Sequence, residues 1–382
     1  MKKKLVIFLH QNFFTKNDWK IYQIEKYKEV ADVYIFEFGK IINSGFEEIF
    51  KNRKKNHLIK KVINLNSWKL MLQKLLDQNY KKKLILNTIK PKKKISYEIL
   101  KELSNLDIPI VDLENHHLPF SENLKKNFTD FLTKIQNLKY IKFLLFSKFY
   151  SYLFRKIKFK NYFILINGIK RKKFKNKNII HGLVREYDLA VNEKVKSTKE
   201  KFILFLENES LNWPGDAKFF PGISSIENNF YEKLRNFFNY IEEKFKCKII
   251  ISAHPKSAHT TRPDYYGKRL VVKGKTNQLI KNAKFILAQP SMATSYIVYH
   301  RKPSILIFSK GNLASNFYMN NIRNIKKFIG INAINFEDSK QIKKIRKLIK
   351  LDKKKLVNYE NSFLCPKNIR ESNFSKINKL FL

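Results

Sequence analysis

The chain has 382 residues, 43% of them hydrophobic, and 78 Lys and Arg against 32 Asp and Glu leave a net charge of +46. That length suits two domains with cores of their own, and the apolar content excludes a disordered chain. Part of the basic excess is compositional, since Gly and Pro number only 10 each beside abundant Lys, Asn, Ile and Phe, yet a field of this sign attracts anions: nucleotide phosphates, acidic glycans or an anionic membrane leaflet.

In chain order, the N-terminal "MKKKLVIFLHQ" has an apolar run of five residues, too short for a signal sequence. No later segment approaches the ~20 apolar residues of a membrane span, so contact with a membrane would be peripheral. The runs Leu5–His10, Asp32–Phe38, Lys83–Lys90 and Ile108–His117 read as buried strands separated by helix-length stretches. The segment Ile141–Lys160 interleaves aromatics with lysines at helical spacing. It reads either as a helix packed into the first domain or as an interfacial helix with lysines on anionic lipid. A basic seam follows near Lys170 to Lys177, and then a second series: Asn161–Gly168 and Asn178–Leu183 on either side of it, Lys201–Asn208, Cys247–Pro255, Arg269–Gly274, Phe285–Pro290 and Pro303–Phe308. Alternating strands and helices predict parallel sheets covered on both faces, hence two Rossmann-like α/β domains in tandem. The expected divisions are 1–170, 171–355 and a tail, 356–382, packing back on the first domain. Cys247 and Cys365 lack a CxxC partner, which argues against a disulfide framework or a zinc site and suits a reducing cytoplasm.

Two strands of the second series end in polar clusters, "SAHPKS" and "QPSMATSY". In an open parallel sheet ligands bind outside the carboxyl ends of the strands. His254 and Lys256 offer positive charge there, and Pro255 stiffens the exit. Ser291, Thr294 and Ser295 are expected in the first turn of a helix, where free backbone N–H groups and hydroxyls form a phosphate site. Between them Thr276 is expected to cap a helix Asn277–Ala283, with Lys275 before it. The tripeptide Gly274-Lys275-Thr276 lacks the earlier glycine of a P-loop, since position 269 is Arg269. Plain capping accounts for each hydroxyl singly, but the two clusters together favour a ligand site.

The order of strand-His-Pro, "KGKTNQLIKNAK" and "AQPSMATSYIVYHRKPSILIF" resembles the nucleotide-binding domain of GT-B glycosyltransferases that build bacterial surface polysaccharide, capsule or lipopolysaccharide. It is similar to the His-Pro and serine motifs of bacterial sialyltransferases and to the serine and Lys-Pro region of CDP-glycerol glycerophosphotransferases. The likeness covers roughly residues 161–308, with "NIIHGLVREYDLAVNE" (178–193) and "FILFLENESLNWPGD" (202–216) as opening strands of that domain. It implies a nucleotide-sugar donor, weakly a CMP-sugar, and a glycan or lipid-linked glycan acceptor. His254 would contact the donor phosphate, Ser291, Thr294 and Ser295 would hold phosphate oxygens, and Glu207 and Glu209 would meet a ribose or sugar. The sialyltransferase acidic-acidic-Gly tripeptide is absent, which leaves the base open among His10, Asp18, Asp112, Glu114 and His116, with the cluster after Ile108 preferred. No DxD pair stands in a strand-end context, so neither metal nor cofactor is expected. The alternatives are a CDP-glycerol-type glycerophosphotransferase, a basic nucleic-acid-binding protein and a non-catalytic scaffold. The dispersed lysines and the absence of RRM, KH or zinc-finger signatures disfavour specific nucleic-acid binding.

Overall fold

The computed structural model describes residues 4–43, 56–113, 138–167, 178–198, 200–208, 229–255, 265–313, 316–365 and 371–382. These fall into two compact units, one holding residues up to Leu189 together with Cys365–Leu382, the other Ala190–Leu364.

In the first unit seven strands form one parallel sheet: β1 (Lys4–His10), β2 (Asp32–Glu37), β3 (Ile59–Lys61), β4 (Lys82–Asn87), β5 (Ile110–Leu113), β6 (Tyr162–Asn167) and β7 (Asn178–Gly182). Their order is β3-β2-β1-β4-β5-β6-β7. Residues along β1 alternate between two cores because successive side chains of a strand point to opposite faces. Leu5, Ile7 and Leu9 join Trp68, Leu72, Ile99 and Leu103 of two flanking helices. Val6 and Phe8 join Ile24, Tyr27 and Ile377 on the other side. Helices on both faces explain why the strands read as unbroken apolar runs.

The second unit repeats the plan with β8 (Ile203–Leu206), β9 (Ile249–Ala253), β10 (Val271–Lys273), β11 (Phe285–Ala288), β12 (Ser304–Phe308) and β13 (Asn332–Asn335), in the order β10-β9-β8-β11-β12-β13. The helix Phe230–Phe245 lays Phe230, Leu234, Phe237, Phe238 and Ile241 against Ile203, Phe205 and Ile251, a stripe at the spacing of one helix face. In both units the first strand is central, the next two lie to one side and the rest to the other. This is the 3-2-1-4-5-6 order of a Rossmann sheet. The expected class therefore holds: two Rossmann-like units in tandem, each a parallel sheet flanked by helices.

Two expectations change. Asn161–Gly168 and Asn178–Leu183 were read with the second series, and Asn178–Glu193 as its opening segment. Instead β6 pairs with β5 in parallel register, Ile110 opposite Tyr162, and β7 pairs with β6. The helix Leu138–Lys156 is the crossover between β5 and β6, so this segment extends the first sheet. The helix after β10 also starts one residue early: it spans Thr276–Asn282 with Lys275 at the N-cap and no side-chain cap. The Thr276 hydroxyl lies instead 3.0 Å from that of Ser252.

The last helix, Asn373–Phe381, is held in the first unit by a side-chain clamp. Asn373 Oδ1 accepts the Leu183 amide at 2.8 Å and its Nδ2 donates to the Leu183 carbonyl at 2.9 Å. Gly182 beside it makes the approach workable, because a Cβ there would lie 2.5 Å from Asn373 Oδ1. Phe374 on Tyr27 and Phe381 on Phe163, each with ring centroids 4.7 Å apart, complete the docking.

Candidate functional site at the carboxyl edges of the sheets

Where strand order reverses, the connections leave the sheet in opposite directions and open a crevice at the carboxyl ends. In the second unit that point lies between β8 and β11, and polar side chains stitch it. The Gln289 amide donates to the Leu206 carbonyl at 3.1 Å, and its Oε1 accepts the Asn208 amide at 2.8 Å. Asn208 in turn donates through Nδ2 to the Pro290 carbonyl. Glu207 is buried beside them. Its Oε2 accepts the His254 backbone N–H at 2.7 Å and its Oε1 accepts the hydroxyl of buried Tyr266. Both carboxylate oxygens are thus engaged in the protein, and Glu207 holds the exit of β9 at His254.

His254 is half-buried and Pro255 exposed at the end of β9, and Lys275 is exposed beyond β10. Gly274, at φ +77°, makes the turn between β10 and Lys275 in a conformation that favours glycine. The order β9-β8-β11 brings His254 and Ser291 to one edge, with two strand spacings, ~10 Å, between their strands.

The serine-threonine cluster differs from expectation. The N–H groups of Thr294, Ser295 and Tyr296 donate to the carbonyls of Ser291, Met292 and Ala293, at 3.0, 3.1 and 3.0 Å. The Thr294 hydroxyl also donates to the Ser291 carbonyl at 2.7 Å. Thr294 and Ser295 are buried. A tight turn therefore consumes the backbone N–H groups of Thr294 and Ser295 and the Thr294 hydroxyl, and of the three residues Ser291 alone is half-buried at the edge. Lys256, Glu209, Glu114 and His116 lie outside the described residues.

At the same edge, beyond β12 and β13, a groove of about 490 Å³ is lined by Lys233, Phe237, Tyr240, Lys310, Phe336 and Glu337. The Glu337 side chain is only 8% exposed, with Oε2 3.7 Å from Lys233 Nζ and Oε1 without a hydrogen-bond partner among the described residues. A carboxylate beside aromatic rings and ammonium groups suits a hydroxylated, negatively charged ligand. Sequence reading passed over Glu337, Gln289 and Tyr266. The adjacency of Gln289 to a strand end was the one signal available.

The first unit has its own switch point, between β1 and β4. Gln11 N–H donates to the Thr88 hydroxyl at 3.1 Å, and Gln11 Oε1 accepts the Lys90 amide at 2.8 Å. His10, buried at the end of β1, has Nε2 3.9 Å from Asp18 Oδ2 and its ring edge-on to Phe14 and Tyr22. Asp18 is fixed by a capping box in which its Oδ2 accepts from the Thr15 amide at 2.8 Å. Burial pushes the Tyr22 hydroxyl up despite the opposing charge of Arg185, whose Nη1 donates to it at 3.0 Å. Asp112, at the end of β5, has Oδ1 2.7 Å from Lys90 Nζ, and its Oδ2 accepts the Tyr162 hydroxyl at 2.9 Å. Among the described residues no group of three or more His, Cys, Asp or Glu side chains is placed to hold a metal ion. Likewise no helix among them is long and apolar enough to cross a membrane.

No family model matches the sequence, and no curated protein matches it. Solved structures align over nearly the whole chain at low similarity. The UDP-GlcNAc 2-epimerase of Methanocaldococcus jannaschii is 13% identical over 99% of this chain and 98% of that one, with a TM-score of 0.47. The glycosyltransferase SnogD of Streptomyces nogalater is 10% identical over 93% and 92%, with a TM-score of 0.45. MurG of Acinetobacter baumannii is 7% identical over 93% and 94%, with a TM-score of 0.43.

His300, just after the helix Thr294–Tyr299, supplies a pH-dependent contact. Its Nε2 lies 2.7 Å from Asn277 Oδ1, while Asn277 Nδ2 donates to Glu193 at 2.8 Å, so neutral His300 is the donor. Burial first, then the charges of Lys281 and Lys302, lower its pKa from 6.5 to about 4. A histidine held neutral in the fold stabilises it above the unfolded value, and that contribution is lost as pH falls from 6.5 toward 4. With solvent screening discounted, the loss should be about 1 kcal/mol. Urea midpoints at neutral and acid pH should diverge less for His300→Gln than for the parent, and equal divergence would refute the assignment.

Proposed function

We propose that the chain is a glycosyltransferase of GT-B type. It would move a sugar from a nucleotide-activated donor, a CMP-sugar being the first candidate, to a glycan or lipid-linked glycan of a bacterial surface polysaccharide. The observation that carries this reading is the buried carboxylate of Glu207, which ties the exits of β8 and β9 beside the switch point of the second sheet. With that exit fixed, His254 and Ser291 flank the crevice where such a sheet takes its ligand.

The donor's phosphates would lie between His254, Lys275 and Ser291, and the groove with Lys310 and Glu337 would take hydroxyls at the far side. In a direct displacement the acceptor oxygen attacks the anomeric carbon as a base removes its proton. The bond to phosphate breaks, and the nucleotide departs with the electron pair. Cationic groups at the second sheet edge stabilise that departing charge. For the base we favour His10, because Asp18 at 3.9 Å from Nε2 stabilises the imidazolium that forms. Asp112 is already committed to Lys90 and Tyr162.

A thermal-shift panel of CMP, CDP, UDP and GDP tests the reading. A nucleotide present at about 100 times its dissociation constant stabilises by about 2.7 kcal/mol. If none moves the melting transition, the donor site is wrong. Product masses separate sugar transfer from transfer of glycerol phosphate.

A further inference from the structure

The helix Leu138–Lys156 reverses the usual polarity of a surface helix, which turns an apolar stripe inward and polar side chains outward. Its inner side is accounted for. The Tyr150 ring lies 5.9 Å from Tyr97, the Ser151 hydroxyl donates to the Pro91 carbonyl at 3.4 Å, and Phe154 packs on Phe159 and Tyr162 at 5.8 and 6.2 Å. The outward arc is also apolar: Leu145 is 63% exposed, Phe146 46%, Phe149 51% and Tyr152 54%. Their spacing, i, i+1, i+4 and i+7, places them on one side. Lys142 and Lys156 stand at the two ends of that stripe, with Lys148 and Arg155 along its flank. Lys156 Nζ lies 4.6 Å over the Tyr152 ring.

Residues 138–160 carry seven Lys and Arg and no Asp or Glu. A bare apolar stripe rimmed by cations has one complementary environment: an apolar layer bounded by negative charge. We propose that this outward face docks on an anionic lipid surface, with Leu145, Phe146, Phe149 and Tyr152 at the level of the headgroups and the flanking lysines and Arg155 on lipid phosphate. No described helix crosses a membrane, so the attachment is peripheral. The docking stands apart from the transferase reading, since it requires nothing of His254, Glu207 or His10.

A net charge of +46 would by itself draw the protein to anionic vesicles, so the deciding variant leaves charge untouched. Sedimentation of the full chain with phosphatidylcholine vesicles, and with vesicles about one-third phosphatidylserine, should show at least about tenfold preference for the anionic ones at low salt, weakening steeply as salt shortens the screening length. Leu145→Ser/Phe149→Ser should lose about tenfold in binding to the anionic vesicles. Its melting temperature should match the parent's, because both side chains already face solvent. Tyr152→Ser, a smaller change on the same stripe, should lose binding in the same direction and keeps the test open if the double variant misfolds. Equal binding by parent and serine variants would overturn the proposal and reduce the effect to bulk charge. So would a parent that sediments as a dimer, dissociates on Leu145→Ser/Phe149→Ser and ignores vesicles, since the face would then be covered by a second copy.

Discussion

Glu207→Ala should lower the stability of the second unit by about 3 to 5 kcal/mol, seen as a fall of roughly 10 °C in melting temperature. The size follows from what the carboxylate leaves behind. It accepts the His254 backbone N–H at 2.7 Å and the hydroxyl of Tyr266, which is 2% exposed, so alanine strands two donors where water has little access. An unpaired buried donor costs about 1 to 3 kcal/mol, and the vacated volume adds to it. Glu207→Gln separates positioning from ligand binding. The amide oxygen can still accept from His254, and the amide nitrogen can donate to the Tyr266 oxygen, so the variant should lie within about 1 kcal/mol of the parent. If Glu207 acts only by holding the β9 exit, Glu207→Gln also keeps its affinity for donor nucleotide. A tenfold loss of donor affinity with the fold intact would return the carboxylate to direct contact with ligand.

That role shows where sequence reading stops. The strands β1, β2, β8 and β9 were legible because both faces of each sheet are covered and the runs are apolar throughout. β3 and β13 were not legible, for β3 (Ile59–Lys61) is three partly exposed residues and β13 (Asn332–Asn335) has asparagine at both ends. Periodicity reveals a strand but not its partner, which is why β6 and β7 were assigned to the wrong sheet. The polar strand ends at His254 and Ser291 were visible as composition. The carboxylate fixing the first of them was not, because it acts 47 residues away on His254 and 59 away on Tyr266. The amides of Thr294 and Ser295 were misjudged for a local reason. Whether the first turn of a helix offers free N–H groups depends on how the preceding residues turn, and here Ser291, Met292 and Ala293 supply the acceptors.

His254→Ala and His10→Asn should fail in different ways. The link from His254 to Glu207 runs through its backbone amide, so removing the imidazole keeps the β9 exit and should change the melting temperature little. A group serving the departing phosphate matters most as charge gathers on it. Turnover should therefore fall by about 10² to 10³ while ground-state donor affinity falls only a few-fold. His10 is buried against Phe14 and Tyr22, and asparagine fills much of its space while removing the imidazole that would take the acceptor's proton. His10→Asn should thus bind donor like the parent and lose at least about 10² in transfer. Asp18→Asn should lose less transfer than His10→Asn, because it keeps an acceptor for the helix cap and leaves the imidazole in place but removes the charge 3.9 Å from Nε2. Full transfer by His10→Asn would pass the role to Asp112, whose carboxylate would then have to leave Lys90 and Tyr162 to reach an acceptor. Parent-like turnover by His254→Ala would remove the second sheet edge from the chemistry altogether.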